Sequence, residues 1–132
     1  MTTEMNEPQG KRVDLTGFPV SDSVVVVPWR GKTLHVRPLI EPEETMEIVN
    51  DVMSACYNEK DDAVVPEMRD FAFRACVITR YSDVFLPKDL REQYKIVYLT
   101  DLYDTIEKRV SKAQIETMRS TVEHMLFHRI NQ

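Results

Sequence analysis

The sequence predicts an α+β domain, mainly α: an N-terminal arm and a β-hairpin, followed by a bundle of about four to five helices. Three observations predict it. β-branched and alternating apolar residues flank a glycine within residues 23–38. From residue 41 onward apolar residues recur at helical spacing. Proline followed closely by acid, a signature of helix starts, occurs three times in that region.

Residues 1–20 are polar and weakly patterned. Alone they bury too little apolar surface to offset the entropy of ordering them. They are expected either to be an inert tail or to order on a partner, with Leu15, Phe18 and Val20 as apolar contacts. The rest, 21–132, reads as a single domain, with a hairpin at 23–38 and a helical part at 41–132.

In the hairpin, Val24, Val25, Val26 and Val27 favour a strand. Arg30, Gly31 and Lys32 supply a turn, with Gly31 free to take positive φ. Leu34 and Val36 alternate onto one face. Pro28 and Pro38 bound or edge the strands, since neither donates to a ladder.

The helix starts are at Pro42 with Glu43 and Glu44, Pro66 with Glu67, and Pro87 with Asp89. The first helix is expected over 42–57, with a stripe of Met46, Val49, Met53 and Cys56 broadened by Ile48 and Val52, ending at the polar run Glu59, Lys60, Asp61, Asp62. The second, over 66–81, is apolar nearly all round and so belongs at the centre of the core. The third, over 87–99, carries Leu90, Tyr94, Val97 and Tyr98. A short segment over 101–110 follows, with Asp101 as its N-cap. Ser111 and Gln114 match a capping box. The fifth helix then presents Ile115, Met118, Val122, Met125 and Arg129, widened by Leu126 and Ile130.

The chain's 132 residues make about one domain. Hydrophobic residues at 42% and charged residues at 30% are globular proportions. Seventeen basic against twenty-two acidic residues give a net charge of −5, which argues against non-specific binding of nucleic acid. The longest unbroken apolar run, 24–28, is far short of a membrane span. The N-terminus lacks the pattern of a secretory signal. Two cysteines are no disulfide framework, and a reducing, cytosol-like compartment is expected during folding.

Chemistry-bearing constellations are sparse. The three glycines are Gly10, Gly17 and Gly31, so the helical part has none for a phosphate-cradling loop. His124 and His128, four apart on one helical face, are the best metal candidates, with Cys56 and Cys76 to complete a set. Nineteen residues lie between the cysteines, however, against about two to four in a zinc finger. Both thiols fall on apolar stripes, where cysteine acts as a small hydrophobe. The acid pairs Glu43–Glu44 and Asp61–Asp62 sit at a helix start and in a loop, where carboxylates are normally solvated. Trp29, Arg30 and Lys32, with His35 and Arg37, form one basic-aromatic cluster. Such a cluster stacks on single-stranded nucleic acid or, more commonly, packs on the domain or a partner. No catalytic residue, cofactor or metal is expected.

Three stretches carry a resemblance. One runs from Gly31 to Arg37 into a helix with Met46 and Val49. The second occupies residues 65–76, from Val65-Pro66-Glu67 to Arg74-Ala75-Cys76. The third runs from Leu86-Pro87 through Tyr94 and Tyr98 to Tyr103. Together, over about residues 24–106, they resemble small proteins encoded among the head and tail genes of tailed bacteriophages and prophages. The resemblance implies a non-enzymatic structural or assembly role, as a tail-assembly chaperone or minor virion component. The partners would be other phage structural proteins or further copies of the chain. No small-molecule substrate or membrane is implied, and the location would be the host cytoplasm during assembly and, for a virion component but not a chaperone, the virion. The arm here is longer than is usual in such proteins. The rival expectations are a cellular adaptor or regulatory subunit, and a metal-binding protein using His124 and His128.

Overall fold

A computed structural model describes residues 12–58 and 63–130. Residues 1–11 of the expected arm and the polar run 59–62, including Asp61 and Asp62, lie outside the described residues, as does the side chain of Ile130. The elements in chain order are β1 (Val25–Trp29), β2 (Lys32–Val36), α1 (Pro42–Ala55), β3 (Tyr57–Asn58), β4 (Ala63–Val64), α2 (Met68–Tyr81), α3 (Leu90–Leu99), α4 (Leu102–Glu107) and α5 (Lys112–Ile130). The expected α+β, mainly α architecture is what forms.

β1 and β2 pair antiparallel with Val27 opposite Leu34 and Trp29 opposite Lys32. Lys32 is therefore a strand residue, and the turn is the two-residue pair Arg30-Gly31. Their φ values of 49° and 79° are both positive, as a type I′ turn requires. Val27, Leu34 and Val36 point into the core, whereas Val24 and Val26 are exposed. Pro28 sits within β1 opposite Thr33. It is tolerated there because β1 is an edge strand. The other edge, that of β2, is closed by the end of α2. Arg37 N–H donates to the Tyr81 carbonyl at 2.7 Å. The His35 N–H donates to Asp83 Oδ1 at 2.9 Å.

α1 opens as expected, with Pro42 in its first turn and Glu41 as N-cap. Glu44 reaches back to accept from the Glu41 N–H at 3.2 Å. The helix stops at Ala55, two residues short of the expected end, because Tyr57 and Asn58 leave it to pair with Val64 and Ala63. Ile48, Val49, Val52, Met53 and Cys56 are buried, but Met46 is 66% exposed. It lies on the shoulder facing α5, where no further helix covers it.

Two of the three proline signals precede their helices rather than begin them. Pro66 and Glu67 form a turn, in which the Val65 and Pro66 carbonyls accept from Met68 and Arg69, and α2 starts at Met68. Pro87 likewise lies ahead of α3, whose N-cap is Asp89; its carboxylate accepts from the Glu92 N–H at 3.2 Å. The proline still takes part, since its carbonyl accepts from Gln93 Nε2 at 2.6 Å.

α2 packs against α1, α3 and α4. It buries Phe71, Ala72, Phe73, Val77, Ile78 and Tyr81, which makes it the centre of the core. α3 contributes little: Val97 is its one buried residue, and Leu90, Tyr94 and Tyr98 are exposed. The helix leans on α2 by one narrow line. α5 buries Ile115, Met118, Val122 and Leu126. Met125 is 38% exposed, so the stripe runs through Leu126 instead.

Segments far apart in the chain are joined through one side chain. Ser111 Oγ accepts from the Gln114 N–H at 3.1 Å, which is half of the expected capping box. The other half is diverted. Gln114 Oε1 accepts from Ile40 N–H at 3.1 Å and from Tyr81 O–H at 2.7 Å. Its Nε2 donates to the Ile40 carbonyl at 3.0 Å. The Ser111 N–H goes to the Pro38 carbonyl at 2.8 Å.

Candidate interaction surfaces

At the hairpin tip the tryptophan is spent on the domain itself. Trp29 Nε1–H donates to Asp101 Oδ1 at 2.8 Å, and Arg30 lies 3.6 Å from the same oxygen. The Arg30 guanidinium also stands 5.1 Å over the indole. The Trp29 hydrogen bond holds the Asp101 carboxyl below its usual range. Asp101 thus occupies the N-cap position of α4 without capping it. Thr100 Oγ1 accepts from the Leu102 N–H at 3.2 Å instead. The basic-aromatic cluster is further dispersed by His35 pairing with Asp83 and Arg37 with Glu44, each at 2.8 Å. Lys32 stays exposed.

The arm is the opposite case. Leu15, Thr16, Gly17 and Phe18 form a turn closed by Phe18 N–H to the Leu15 carbonyl at 2.9 Å. Gly17 supplies the positive φ of 74° it needs. Asp14 Oδ1 accepts from the Thr16 N–H at 2.9 Å, and that bond lowers the Asp14 pKa. The apolar side chains are presented to solvent: Val13 is 87% exposed, Leu15 62%, Phe18 61% and Val20 80%.

A groove runs between α1 and α5. Residue numbers rise in the same direction on both walls, from Thr45 and Met46 beside Thr117 to Ser54 and Tyr57 beside Arg129, so the two helices are parallel. It comprises depressions of about 260, 470 and 610 Å³ that share Met125, room enough for bulky side chains. Met46, Met53, Met118 and Met125 line it, with His124, His128 and Arg129 at the C-terminal end. The Arg129 guanidinium lies 5.0 Å over the Tyr57 ring.

The far side of the core carries a polar network that sequence reasoning missed. Asp70 accepts from Tyr98 O–H at 2.6 Å and from Arg74 Nε at 2.9 Å, with Arg119 3.7 Å away. Burial works to raise the Asp70 pKa; the Tyr98 hydrogen bond and the two guanidiniums outweigh it and hold it low. Arg119 donates to Tyr103 Oη at 2.8 Å, and Tyr103 O–H donates to Glu107 at 3.1 Å. Burial pushes the Tyr103 phenol up to about 12. Tyr94 and Tyr98, with ring centroids 4.7 Å apart, lean on Phe71. The Asp70–Arg74 and Tyr103–Glu107 pairs are four residues apart on one helix, a spacing the sequence shows, but Tyr98 and Arg119, which join them, come from other helices.

The two histidines share one exposed helical face, as their spacing dictates. Among the described residues no group of three or more His, Cys, Asp or Glu is placed to hold a metal ion. Cys56 is buried and Cys76 half-buried. Burial, then the charge of Asp51, pushes the Cys76 thiol up to about 11, and burial raises Cys56. Neither is activated toward the thiolate that nucleophilic chemistry uses. No helix among the described residues is long and apolar enough to cross a membrane. No protein-family model, curated protein or solved structure matches this chain.

Proposed function

We propose that this chain is a non-enzymatic interaction component of tailed-phage morphogenesis, a minor virion protein or a tail-assembly chaperone, which works by docking its N-terminal arm on a partner subunit in the host cytoplasm. The observation that carries the docking role is the arm itself. Four apolar side chains in eight residues stand exposed around an ordered turn. A segment of that kind gains its apolar burial only when it meets another surface. The phage setting rests on the resemblance of residues 24–106 to small head- and tail-gene products.

The test compares the full chain with a version lacking residues 1–20. Melting of the isolated domain is expected to stay nearly unchanged, while incorporation into particles, read by mass spectrometry of purified virions, falls. Presence in virions marks a component. Absence beside tail-gene neighbours marks a chaperone. Neighbouring genes of cellular metabolism or regulation would overturn the phage assignment in favour of an adaptor, and normal incorporation without the arm would end the docking role.

A further inference from the structure

We propose that two copies of this chain pair antiparallel through the free edge of β1, joining their hairpins into one continuous sheet. The pairing goes beyond the docking of the arm and does not depend on it. The hairpin register shows which groups are free. His35 N–H donates to Asp83 Oδ1, and the His35 carbonyl accepts from the Asp83 N–H at 3.3 Å, so both point away from β1. Val26 stands opposite His35, and in an antiparallel ladder the two members of such a pair both turn their polar groups outward. The N–H and C=O of Val26 therefore face away from β2, as by alternation do those of Val24 and the carbonyl of Pro28. Among the described residues none of these groups has a hydrogen-bond partner. The fold closes the β2 edge and leaves the β1 edge open. Such edges are ordinarily guarded by charge along the strand. From Ser23 to Trp29 there is none, and Val24 and Val26 are 54% and 60% exposed. Pro28 guards only one end.

The charge layout makes a second copy the occupant of that edge. From Thr16 to Thr33 the charged residues are Asp22, ahead of the strand, and Arg30 and Lys32, beyond it. Asp101 holds Arg30, whereas Asp22 and Lys32 have no ion-pair partner among the described residues. Antiparallel pairing of the strand with itself lays the acidic end of each copy on the basic end of the other, with valines between. Parallel pairing would set acid on acid and base on base. A two-fold axis at Val25 places Val24 opposite the partner's Val26, where the two exchange both N–H···O bonds. Pro28, which has only a carbonyl to offer, then falls opposite the partner's Asp22, whose N–H can meet it. Arg30 and Lys32 flank the partner's Asp22 within reach of long side chains. The same patch serves both copies, so the contact is isologous and closes as a dimer.

Sedimentation velocity of the full chain over a range of concentrations tests this. The wild type is expected to dimerise. Val24→Lys with Val26→Lys should weaken the dimer by about tenfold or more, since lysines then face lysines along the ladder. Asp22→Lys and Lys32→Glu, each alone, bring like charges together and should weaken it by a few-fold. Mixing those two should restore the wild-type affinity as a one-to-one pair, because the basic strand of one copy then meets the acidic strand of the other. Both positions are exposed, so the charge pair carries the test if the double lysine variant melts early. A wild type that stays monomeric overturns the proposal. So does a dimer indifferent to a well-folded double lysine variant, or a mixture of the charge variants that pairs no better than either alone. The arm's docking is read separately, by incorporation into particles, and survives any of these failures.

Discussion

Gln114 is the side chain whose loss should cost most for its size. Its amide orientation is set by its neighbours: Oε1 must face the two donors, Ile40 N–H and Tyr81 O–H, and Nε2 must face the Ile40 carbonyl. Ile40 is 2% exposed and Tyr81 fully buried, while Gln114 itself is half-buried, so water entering in its place satisfies these groups only in part. Gln114→Ala strands two buried donors and one carbonyl. At about 1–3 kcal/mol for each unsatisfied group, with partial relaxation, the domain should lose roughly 3–5 kcal/mol. For a chain of this size that is a fall in Tm of about 10–20 °C. Urea denaturation of Gln114→Ala, Tyr81→Phe and the double variant would measure it. Tyr81→Phe removes one of the stranded donors, so the double variant should lose less than the sum, by about 1–2 kcal/mol. A loss under about 1 kcal/mol for Gln114→Ala, or strict additivity with Tyr81→Phe, would refute the reasoning.

Phe71→Ala should cost about 3–5 kcal/mol by urea denaturation, because a nearly buried ring against Tyr94 and Tyr98 is removed from α2; a midpoint that barely moves would mean the aromatic cluster collapses to fill the space. The Asp70 carboxyl has a lowered pKa in the fold, so its contribution is complete above its ordinary value of about 3.9 and is lost as pH falls through the depressed one. Asp70→Asn should therefore flatten the acid limb of the stability curve, by about 1 kcal/mol at most since the group is over a third exposed, and an unchanged limb would exclude Asp70 as its source. Melting in EDTA should match melting without it, and a fall restored by zinc would return His124 and His128 to the position of metal ligands.

Local signals and long-range contacts were legible to very different degrees. The hairpin and its inward face followed from Leu34 and Val36 alternating beyond Gly31, but the turn was placed over three residues, and the two-residue pair Arg30-Gly31 sets the register. α2 was recognisable as central because its apolar residues surround it. The proline signals located the region of each helix start but misplaced two of them, since proline suits both the first helical turn and the loop ahead of it, as Pro66 and Pro87 show. Stripe reading failed where the core is thin. Leu90 and Tyr94 have helical spacing, yet Leu90 is exposed and Tyr94 covers only the Phe71 ring with one side, and spacing cannot tell how much of a neighbour exists. The arm's apolar points were visible in Leu15, Phe18 and Val20. The groove was not, because it needs α1 and α5 side by side, and its methionines read as ordinary core residues on each helix alone.

The Gln114 clasp also sets a time order on folding. Ile40 and its partner are 74 residues apart, and α5 supplies Ile115, Met118, Val122 and Leu126 to the core. While the ribosome has made only the hairpin, α1 and α2, the Ile40 N–H and the Tyr81 hydroxyl have no amide to meet, and the α5-facing side of α1 is bare. The nascent chain must wait for α5 before the interior closes. During that interval the same methionine-lined flank of α1 is open to whatever apolar segment is nearest. A chain made on crowded polysomes should accordingly aggregate through α1, and slowing translation just before α5 should worsen it.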